Sequence, residues 1–459
     1  MLPRLILLQR AMVTGPVLMR IGVLGGGLAG LVAAYLAAGR GHSVEVLEKE
    51  SCVGGLLKTE CIEGYCFDTG GSHIIFSRDR NLLEMLVSAV REVCGVLEHV
   101  RDARIHYRGM FIRYPFENGM FMLPPEERLE ILKSVVETYV ERVARGTEPR
   151  NFMEWILAVF GRAIAERYLV PYNKKLWKRD LENLSLEWVG GRVPDPPLDD
   201  VLRSAVGLPT QGYTHQLRFY YPEKGGIETL AHGLKKLVLR RGATVRTNCG
   251  VRRLDPCEGK VHVDSDCGSF EYELVVNTTP LPDLVKMLPR TIRGELEKLV
   301  AQLDYNSLYV VGVGVAEALP PYHWVYFPDV ATPFHRVGLL SNYSPDMAPR
   351  GGGSLIAEIS FDPRRGLGMG ERALIGAVLD GLEEHKILRR GNVVVTRVWR
   401  WNYAYVVYTH GSAKAAQEAV ARLRSIGVIS TGRFGSWRYL NMDGVAAQVM
   451  KDLKSAKVL

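Results

Sequence analysis

The most regular hydrophobic pattern in the chain predicts a strand, a helix and a second strand close to its start. Positions 21–24 form an apolar run typical of a buried strand, an apolar helical stretch follows, and positions 43–47 form the second strand. Gly25, Gly27 and Gly30 lie between the first strand and the helix with the spacing G-x-G-x-x-G. Such glycines let the backbone turn, approach a pyrophosphate and pack helix against strand, and the helix N-terminus attracts phosphate. The pattern therefore predicts a dinucleotide-binding βαβ unit.

An acidic residue and a second pair of glycines narrow the choice of cofactor. Glu48 ends the second strand, where a carboxylate can accept hydrogen bonds from both hydroxyls of an adenosine ribose, and Gly54 and Gly55 follow. This arrangement resembles that of a large flavoprotein family, which includes the amine oxidases, phytoene desaturases, protoporphyrinogen oxidases and UDP-galactopyranose mutases. The resemblance implies FAD in an extended conformation rather than NAD. The simpler alternative is a glycine-rich turn in an ordinary α/β domain.

Farther along, the pattern separates a helical segment from a strand-rich one. Apolar residues three and four positions apart predict helices at 81–97 and 125–144, with a short strand pair around 105–114. From about 305 to 410 the apolar runs are strand-like and predict an antiparallel sheet. A last helix, beginning near Gly444, would direct its N-terminus at the cofactor.

These elements predict a fold of mixed class, α/β with α+β, in which a discontinuous Rossmann-like FAD domain is joined by a helical domain and an antiparallel β-sheet domain. The predicted ranges are 1–19 for an N-terminal arm, 20–79, 222–290 and 426–459 for the FAD domain, 80–200 for the mainly helical domain, and 201–221 with 291–425 for the sheet domain. The apolar start has no small-residue cleavage site, so we interpret it as an extra arm or as sequence upstream of a native start at Met12 or Met19.

Composition and charge limit the possible partners. With 459 residues, 47% hydrophobic and 24% charged, the chain has ordinary globular values. Its net charge is +8, but no block of five or more like charges occurs, which favours anionic small molecules over nucleic acid. The seven cysteines give an odd count and no C-x-x-C pair, so we predict no disulfide framework, no zinc site and a reducing cytoplasm. The apolar stretch at 21–38 is explained by the strand and helix without a membrane span.

Arginines and tyrosines at the edges of predicted strands are the candidate chemical groups of the second half. An arginine fork binds phosphate oxygens bidentately, and a phenol donates a single hydrogen bond from a stiff side chain. Any one of them could simply line a wet sheet surface, but together they predict a cleft for a diphosphate. An amine oxidase would need an apolar pocket instead.

Several sequence blocks then resemble those of the UDP-galactopyranose mutases, especially their eukaryotic branch, from about Arg20 to the C-terminus. The blocks are Tyr114-Pro115-Phe116, Pro171-Tyr172-Asn173 with Trp177, Trp188-Val189-Gly190-Gly191-Arg192-Val193, Trp324–Pro328, Ser341–Pro345 and Gly432–Tyr439. The resemblance implies an isomerase that interconverts UDP-galactopyranose and UDP-galactofuranose. It implies that reduced FAD acts without net redox change, through a covalent bond between flavin N5 and the sugar.

The resemblance also implies roles for individual residues. Catalytic roles fall to Arg336, Arg192, His73, Tyr326, Tyr343, Tyr405 and Tyr439, with the arginines and tyrosines on the diphosphate. Cofactor-binding roles fall to Gly25, Gly27, Leu28, Ala29, Gly30, Glu48, Lys49, Gly54, Gly55, Leu56, Val251, Gly432, Arg433, Asn441, Met442 and Asp443. Substrate-binding roles fall to Tyr114, Glu117, Asn173, Trp177 and Gln216, and no metal is implied.

Two positions depart from the family. Glu117 stands where the family has a base-binding glutamine, and an ionised carboxylate accepts hydrogen bonds from N–H groups but rejects a carbonyl. Gln216 stands where the family has a sugar-contacting asparagine on a mobile flap, and Arg192 would lie on a loop that closes over the substrate. The implied partners are a nucleoside-diphosphate sugar and an external reductant such as NAD(P)H, with no nucleic acid and no stable membrane insertion. The oligomeric state is open.

Two other functions compete with the mutase. The first is an FAD-dependent oxidase or desaturase acting on a tetrapyrrole, a polyene or an amine, for which a long apolar cleft would be the signature. The second is a flavin-bearing binding protein attached to an anionic membrane or nucleic acid through its basic surface, for which salt-sensitive binding would be the signature. The arginine and tyrosine set favours the mutase.

Overall fold

The structure is a computed structural model that describes residues 18–146, 148–190, 195–210 and 217–459. Its strands are β1 Arg20–Leu24, β2 Ser43–Leu47, β3 Thr59–Ile62, β4 Tyr65–Asp68, β5 Val96–Val100, β6 Ala103–Tyr107, β7 Met110–Arg113, β8 Arg218–Pro222, β9 Thr244–Arg246, β10 Val251–Cys257, β11 Lys260–Ser265, β12 Gly268–Tyr272, β13 Leu274–Asn277, β14 Asp304–Val315, β15 Trp324–Tyr326, β16 Arg336–Gly338, β17 Gly353–Phe361, β18 Val393–Val407 and β19 Val428–Ser430. Its helices are α1 Leu28–Ala38, α2 Arg80–Arg91, α3 Phe116–Gly119, α4 Pro125–Arg145, α5 Phe152–Ile164, α6 Val170–Trp177, α7 Leu198–Ala205, α8 Glu228–Arg240, α9 Leu281–Met287, α10 Arg290–Val300, α11 Glu371–Glu384, α12 Ser412–Ser425, α13 Gly432–Gly435 and α14 Met442–Ser455.

A parallel sheet of order β19-β13-β1-β2-β9 forms the first half of the fold. Strands β1, β13 and β19 are mostly buried apolar runs because both faces of the sheet are covered there, as is typical of a parallel sheet. Helix α1 packs against α8 and α14, and β1 lies between β2 and β13. The strands come from three separate stretches of chain, which confirms the predicted mixed fold with its discontinuous Rossmann-like part.

A second sheet, of order β18-β14-β17-β16-β15-β6-β7, forms the other half. It is antiparallel except between β15 and β6, which confirms the predicted antiparallel sheet. Strand β17 is buried along its whole length, and α11 closes one face of the sheet around Leu374 and Val378. Helices α4 and α5 pack beside the far edge, around Phe116, Ile131 and Phe160.

The segment 80–200, predicted to be mainly helical, also contributes strands. The predicted helix over 81–97 ends at Arg91, and β5 pairs instead with β8. The strand pair predicted around 105–114 is present as β6 and β7, and it joins the large sheet through β15. Strand β5 and the link between β6 and β15 were not predicted, because their partner strands lie far away in sequence and local periodicity carries no signal of them. The domain ranges themselves stay a prediction.

Four of the seven cysteines form disulfides, so the prediction of no disulfide framework was wrong. Cys61 and Cys66 lie opposite each other in the β3–β4 hairpin, and Cys249 is joined to Cys267. The prediction relied on the odd number of cysteines and on the absence of a C-x-x-C pair, whereas strand pairing brings cysteines together at other spacings. Because these cysteines are paired, the cysteine content no longer supports a location in a reducing cytoplasm. Within the described residues, none of the helices is both long enough and apolar enough to cross a membrane.

Candidate active site

A cavity of about 1320 Å³ lies where the parallel sheet, the large sheet and the helices around α5 and α6 meet. Its wall includes the glycine turn after β1, Glu48, His73 and Arg433. It also includes Arg336 and aromatic side chains of α5 and α6. The cavity thus joins the predicted cofactor motif to the predicted substrate groups in one continuous space.

The glycine turn between β1 and α1 is packed as tightly as the motif requires. A Cβ built on Gly30 would lie 1.9 Å from the carbonyl oxygen of Gly25, and Gly25 itself has a φ of +95° that favours glycine. Gly27 forms a bridge with Gly54, so the two glycine segments lie side by side at the start of α1. The backbone therefore leaves an open cradle at the N-terminus of a helix, where phosphate binds.

Glu48 is held in place for a ribose. Its side chain is buried, with Oε2 accepting the N–H of Gly26 at 2.6 Å and Oε1 accepting that of Glu50 at 2.9 Å. A carboxylate has about four lone-pair sites, so both oxygens can still accept ribose hydroxyls. A second helix N-terminus faces the cavity at the start of α14, where Asn441 and Met442 line the wall. These residues fit an extended FAD.

The cavity wall contains a buried ion pair of Arg336 with Glu358, which are opposite neighbours on β16 and β17. Arg336 donates from Nε and Nη2 to the two carboxylate oxygens at 2.8 and 2.7 Å, and Glu358 also accepts the N–H of Ser72 at 3.0 Å. Burial raises the pKa of Glu358, but the guanidinium outweighs it and holds that pKa below its usual value. About a quarter of the arginine side chain, 24%, stays accessible. The pair thus presents an oriented cation to the cavity.

Tyrosines share the cavity wall with this ion pair. Tyr326, Tyr405 and Tyr439 line the cavity, and the hydroxyl of Tyr405 donates to Glu358 at 3.3 Å. Tyr343 is placed differently, because it is fully buried behind Ser72 and its hydroxyl lies 2.6 Å from the Ser72 Oγ. Burial raises the pKa values of Tyr405 and Tyr343, so both phenols are neutral hydrogen-bonding groups near pH 7.

Two histidines in the wall are neutral at pH 7. His73 Nδ1 lies 2.8 Å from the carbonyl oxygen of Gly71, and burial lowers its pKa to about 4. His335 precedes Arg336, and burial lowers its pKa to about 3. Burial disfavours the charged form of both imidazoles, and at His335 it outweighs the attraction of the Glu358 carboxylate 3.9 Å away. The two histidines therefore add no positive charge to the cavity wall.

Comparison with known proteins identifies the family. Residues 28–425 match the model of the family described as flavin containing amine oxidoreductase. The chain belongs to this family. It is therefore an FAD flavoprotein, and the cradle, the buried Glu48 carboxylate and the second helix N-terminus described above have the chemistry that FAD binding requires.

Relatives within the family carry out different reactions. The fold is similar to that of a reduced UDP-galactopyranose mutase, with 27% identity, a TM-score of 0.86 and 95% of each chain covered. The sequence is 23% identical to a 4,4'-diaponeurosporene oxygenase of Staphylococcus aureus over 67% of this chain and 66% of that protein. It is 22% identical to a 1-hydroxycarotenoid 3,4-desaturase of Flavobacterium sp. (strain P99-3) over 72% of this chain and 74% of that protein. The chain thus spans just under two thirds of the length of the oxygenase.

Most of the residues singled out from the sequence meet in the cavity of this flavoprotein. Those that line it are Gly25, Gly27, Leu28, Ala29, Glu48, Lys49, Gly54, Gly55, Leu56, His73, Tyr114, Glu117, Asn173, Trp177, Val251, Tyr326, Arg336, Tyr405, Arg433, Tyr439, Asn441 and Met442. Gly30 and Gly432 lie behind the wall, where they let the backbone pack closely around the start of α1. Asp443 lies in the first turn of α14. Arg192 and Gln216 fall outside the described residues.

Sequence reasoning missed Glu358, His335 and Lys175. Glu358 could have been found, because a lone acid inside the apolar run of β17 indicates a buried charge that needs a partner. Lys175 is buried on α6 and donates to the carbonyl oxygens of Phe327 and Asp329 and to Thr332 Oγ1. It thereby fixes the loop that joins Tyr326 to Arg336. Nothing in the sequence around Lys175 predicts that contact, since its partners lie over 150 positions away.

We expect stability to fall as the pH is lowered from 6.5 to 4. Burial lowers the pKa of His73, His106 and His323 to about 4 and that of His335 to about 3, so the unfolded chain binds more protons in this window. Burial also raises the pKa of Asp68 to about 6, and that group opposes the trend by one proton. Near pH 5 the unfolded chain therefore binds about three protons more than the folded chain. The free energy of unfolding then falls by roughly 4 kcal/mol for each pH unit of acidification. Chemical denaturation at pH 7, 6 and 5 measures it, and a constant or rising free energy of unfolding on acidification would contradict the expectation.

Proposed function

We propose that this flavoprotein is a mutase that interconverts the pyranose and furanose forms of a nucleoside-diphosphate hexose, with UDP-galactopyranose and UDP-galactofuranose as the pair to test first. The observation that carries the proposal is the Arg336 guanidinium, oriented by Glu358 among the side chains of Tyr326, Tyr405 and Tyr439. A fixed guanidinium with neutral phenols beside it suits a diphosphate. The likeness to a reduced UDP-galactopyranose mutase over 95% of both chains supports the same reaction. The closer likeness to the eukaryotic branch rests on sequence blocks alone.

In this reaction the protein binds, orients and stabilises charge. Reduced FAD supplies a nucleophilic nitrogen for the anomeric carbon of the sugar, with no net oxidation. Arg336 and the tyrosine hydroxyls stabilise the negative charge that develops on the diphosphate as it leaves, and they hold it for its return. His73 and Arg433, which both line the cavity, are proposed to lie beside the flavin ring. No step needs a side-chain nucleophile.

A second candidate function is an FAD-dependent oxidase or desaturase. The carotenoid oxygenase and desaturase among the relatives favour it, as do the aromatic side chains Phe152, Trp155 and Trp188 in the cavity wall. The ion pair of Arg336 and Glu358 speaks against it, because charged groups beside a polyene lose their hydration without gaining a partner in the substrate. We therefore rank it second.

The remaining partners are proposals of the same kind. An external reductant such as NAD(P)H is proposed to keep the flavin reduced. The proposed substrate is a nucleoside-diphosphate sugar, with neither nucleic acid nor stable membrane insertion involved. A cytoplasmic location stays a proposal that rests on the nucleotide-sugar substrate, because the two disulfides remove the argument from cysteine content.

The test is turnover by purified protein reduced with dithionite. UDP-galactofuranose is supplied and UDP-galactopyranose is followed by chromatography, with oxidised protein as the matched control. We expect conversion by the reduced form alone. If neither the wild type nor Glu117→Gln converts any member of a panel of uridine, guanosine and adenosine diphosphate galactofuranoses, the mutase proposal is wrong and the oxidase takes its place.

A further inference from the structure

Helix α6 contributes to the cavity wall with one face and supports a loop of the large sheet with another. Asn173 and Trp177 line the cavity and are hydrogen-bonded to each other at 3.0 Å. Residues four positions apart share one face of a helix, so Lys175, which lies between them, projects from a different face. The carbonyl oxygen of Leu176 accepts a hydrogen bond from Asn306 Nδ2 at 2.9 Å, which fixes the helix to β14. Lys175 therefore extends from a firmly held support.

Three oxygens of one loop converge on the buried amine of Lys175. Its Nζ donates to the carbonyl oxygen of Phe327 at 3.1 Å, to that of Asp329, and to Thr332 Oγ1 at 2.7 Å. An ammonium group has three donors, so each of its N–H groups has an acceptor here. All three acceptors are uncharged, and the carboxylate of Asp329 accepts the N–H of Ala331 at 2.9 Å. The hold on the loop therefore depends on how many donors the amine carries.

This loop joins the two strands that bring the proposed diphosphate groups into the cavity, β15 with Tyr326 and β16 with Arg336. A neutral amine has two N–H groups and a lone pair, so one of the three loop oxygens would then face a lone pair instead of a donor. The loop would loosen, and with it the spacing between Tyr326 and Arg336. In a positioned site, a displacement of about 1 Å can cost roughly 100-fold. The proton on Lys175 therefore bears on the geometry of the cavity.

The surroundings of Lys175 let this proton leave near neutral pH. Burial, with a smaller contribution from the charge of Lys178, lowers the pKa of Lys175 to about 7 against the attraction of Asp329. Burial also lowers the pKa of Lys178, which follows α6 directly. The other titratable groups near the amine are His335 on β16 and His385 after α11, and burial lowers the pKa of both below 6.5. Both imidazoles are therefore mainly neutral above that pH, where the lysine titrates.

We propose that Lys175 is a positioning residue for the diphosphate site, and that the site binds a diphosphate tightly only while the Lys175 amine carries its proton. The proposal rests on the proposed function only in taking the ligand of Arg336 to be a diphosphate. Lys175 acts through the loop, since its three hydrogen bonds all go to loop oxygens. Linkage is reciprocal, so a bound diphosphate favours the protonated amine, and binding draws a proton from solution.

The experiment is calorimetric titration of the purified FAD-loaded protein with UDP, GDP and ADP. The nucleotide that binds most tightly is then titrated from pH 6.5 to pH 9. We expect the affinity of the wild type to fall at least about tenfold over this range. The terminal phosphate loses its last proton at about pH 6, which strengthens binding as the pH rises and so cannot mimic the fall. Titration at pH 7.5 in two buffers of different ionisation enthalpy measures the proton uptake.

Three variants separate Lys175 from the charges around it. Lys175→Met lacks the amine, so at pH 6.5 it should bind the nucleotide at least about tenfold more weakly than wild type, with no further fall up to pH 9 and no proton uptake. Lys174→Met removes an exposed lysine of the same helix and should match wild type. In Lys178→Met the Lys175 amine loses a repelling neighbour, so the fall should move to higher pH.

Nucleotide binding also separates this proposal from the mutase proposal. Wild-type affinity that stays constant from pH 6.5 to pH 9 overturns the role of Lys175, whether or not Lys175→Met folds and even if a hexofuranose is converted. A fall that persists in flavin-loaded Lys175→Met, or that disappears in Lys174→Met or Lys178→Met, assigns the proton to another group and also overturns it. The expected pH dependence without conversion of any hexofuranose supports Lys175 and counts against the mutase. Failure of all three nucleotides to bind overturns both.

Discussion

Replacing Arg336 with alanine should lower the turnover of the reduced protein by at least about a hundredfold. The guanidinium is the cation that we place on the leaving diphosphate, and a phenol cannot replace its charge. The same change leaves Glu358 buried without its partner, which costs roughly 3–5 kcal/mol of unfolding free energy. Single-turnover kinetics and chemical denaturation of the same preparation measure the two effects.

Two controls separate the two effects of that change. In the double variant Arg336→Met with Glu358→Gln no charge is left unpaired, so we expect most of the stability to return while turnover stays low. Arg104→Ala removes a comparable arginine, 22% exposed and paired with Asp102, from β6 of the same sheet, and it should leave turnover within about twofold of wild type. Full turnover in Arg336→Ala would exclude the arginine from the chemistry, and lost turnover in Arg104→Ala would point to a general effect on the sheet.

Gly30→Ala should yield protein without flavin. A Cβ at this position would lie 1.9 Å from the carbonyl oxygen of Gly25, and a backbone atom cannot move aside as a flexible side chain can. Helix α1 must therefore shift away from β1, which opens the phosphate cradle, and we expect affinity for FAD to fall at least about 100-fold. The ratio of flavin absorbance to protein absorbance after purification measures retention.

The matched control is another glycine within a helix. Gly294 lies in α10 with nothing within 4 Å of a built Cβ, so Gly294→Ala should retain flavin and gain about 0.5–1 kcal/mol of stability. A flavin-loaded Gly30→Ala protein of normal stability would mean that α1 can move without cost. Such a result would contradict our inference that the close contact between Gly30 and the carbonyl oxygen of Gly25 keeps the phosphate cradle in shape.

The sequence predicts the cofactor half of the fold well, because each of its signals is local. The glycine turn, Glu48 and the helix that begins at Met442 are each set by residues adjacent in the chain. For the part of the cavity around Arg336, the sequence predicted only a set of candidate side chains. The placement of Tyr343 behind Ser72 depends on how a distant loop packs. The pairing of Cys249 with Cys267 likewise depends on strand order, and local spacing does not encode it.

The ion pair of Glu358 with Arg336 could not be predicted from the sequence, for a related reason. An acid within the apolar run of β17 indicates a buried charge, yet its partner Arg336 is identified only once the register of β16 against β17 is known. Register is set by the whole sheet, and a shift of one residue would turn Arg336 to the opposite face. The residue types therefore predicted which chemical groups line the cavity, but they did not predict how those groups are arranged.

The order of strands in the parallel sheet has a consequence for synthesis of the protein. A ribosome releases β1 and β2 first, β13 much later, and β19 with α14 only after every strand of the large sheet. The edge strand and the second helix N-terminus at the cavity are thus made after both halves of the fold have begun to emerge. Flavin therefore cannot meet all of these groups together until the large sheet has been synthesised.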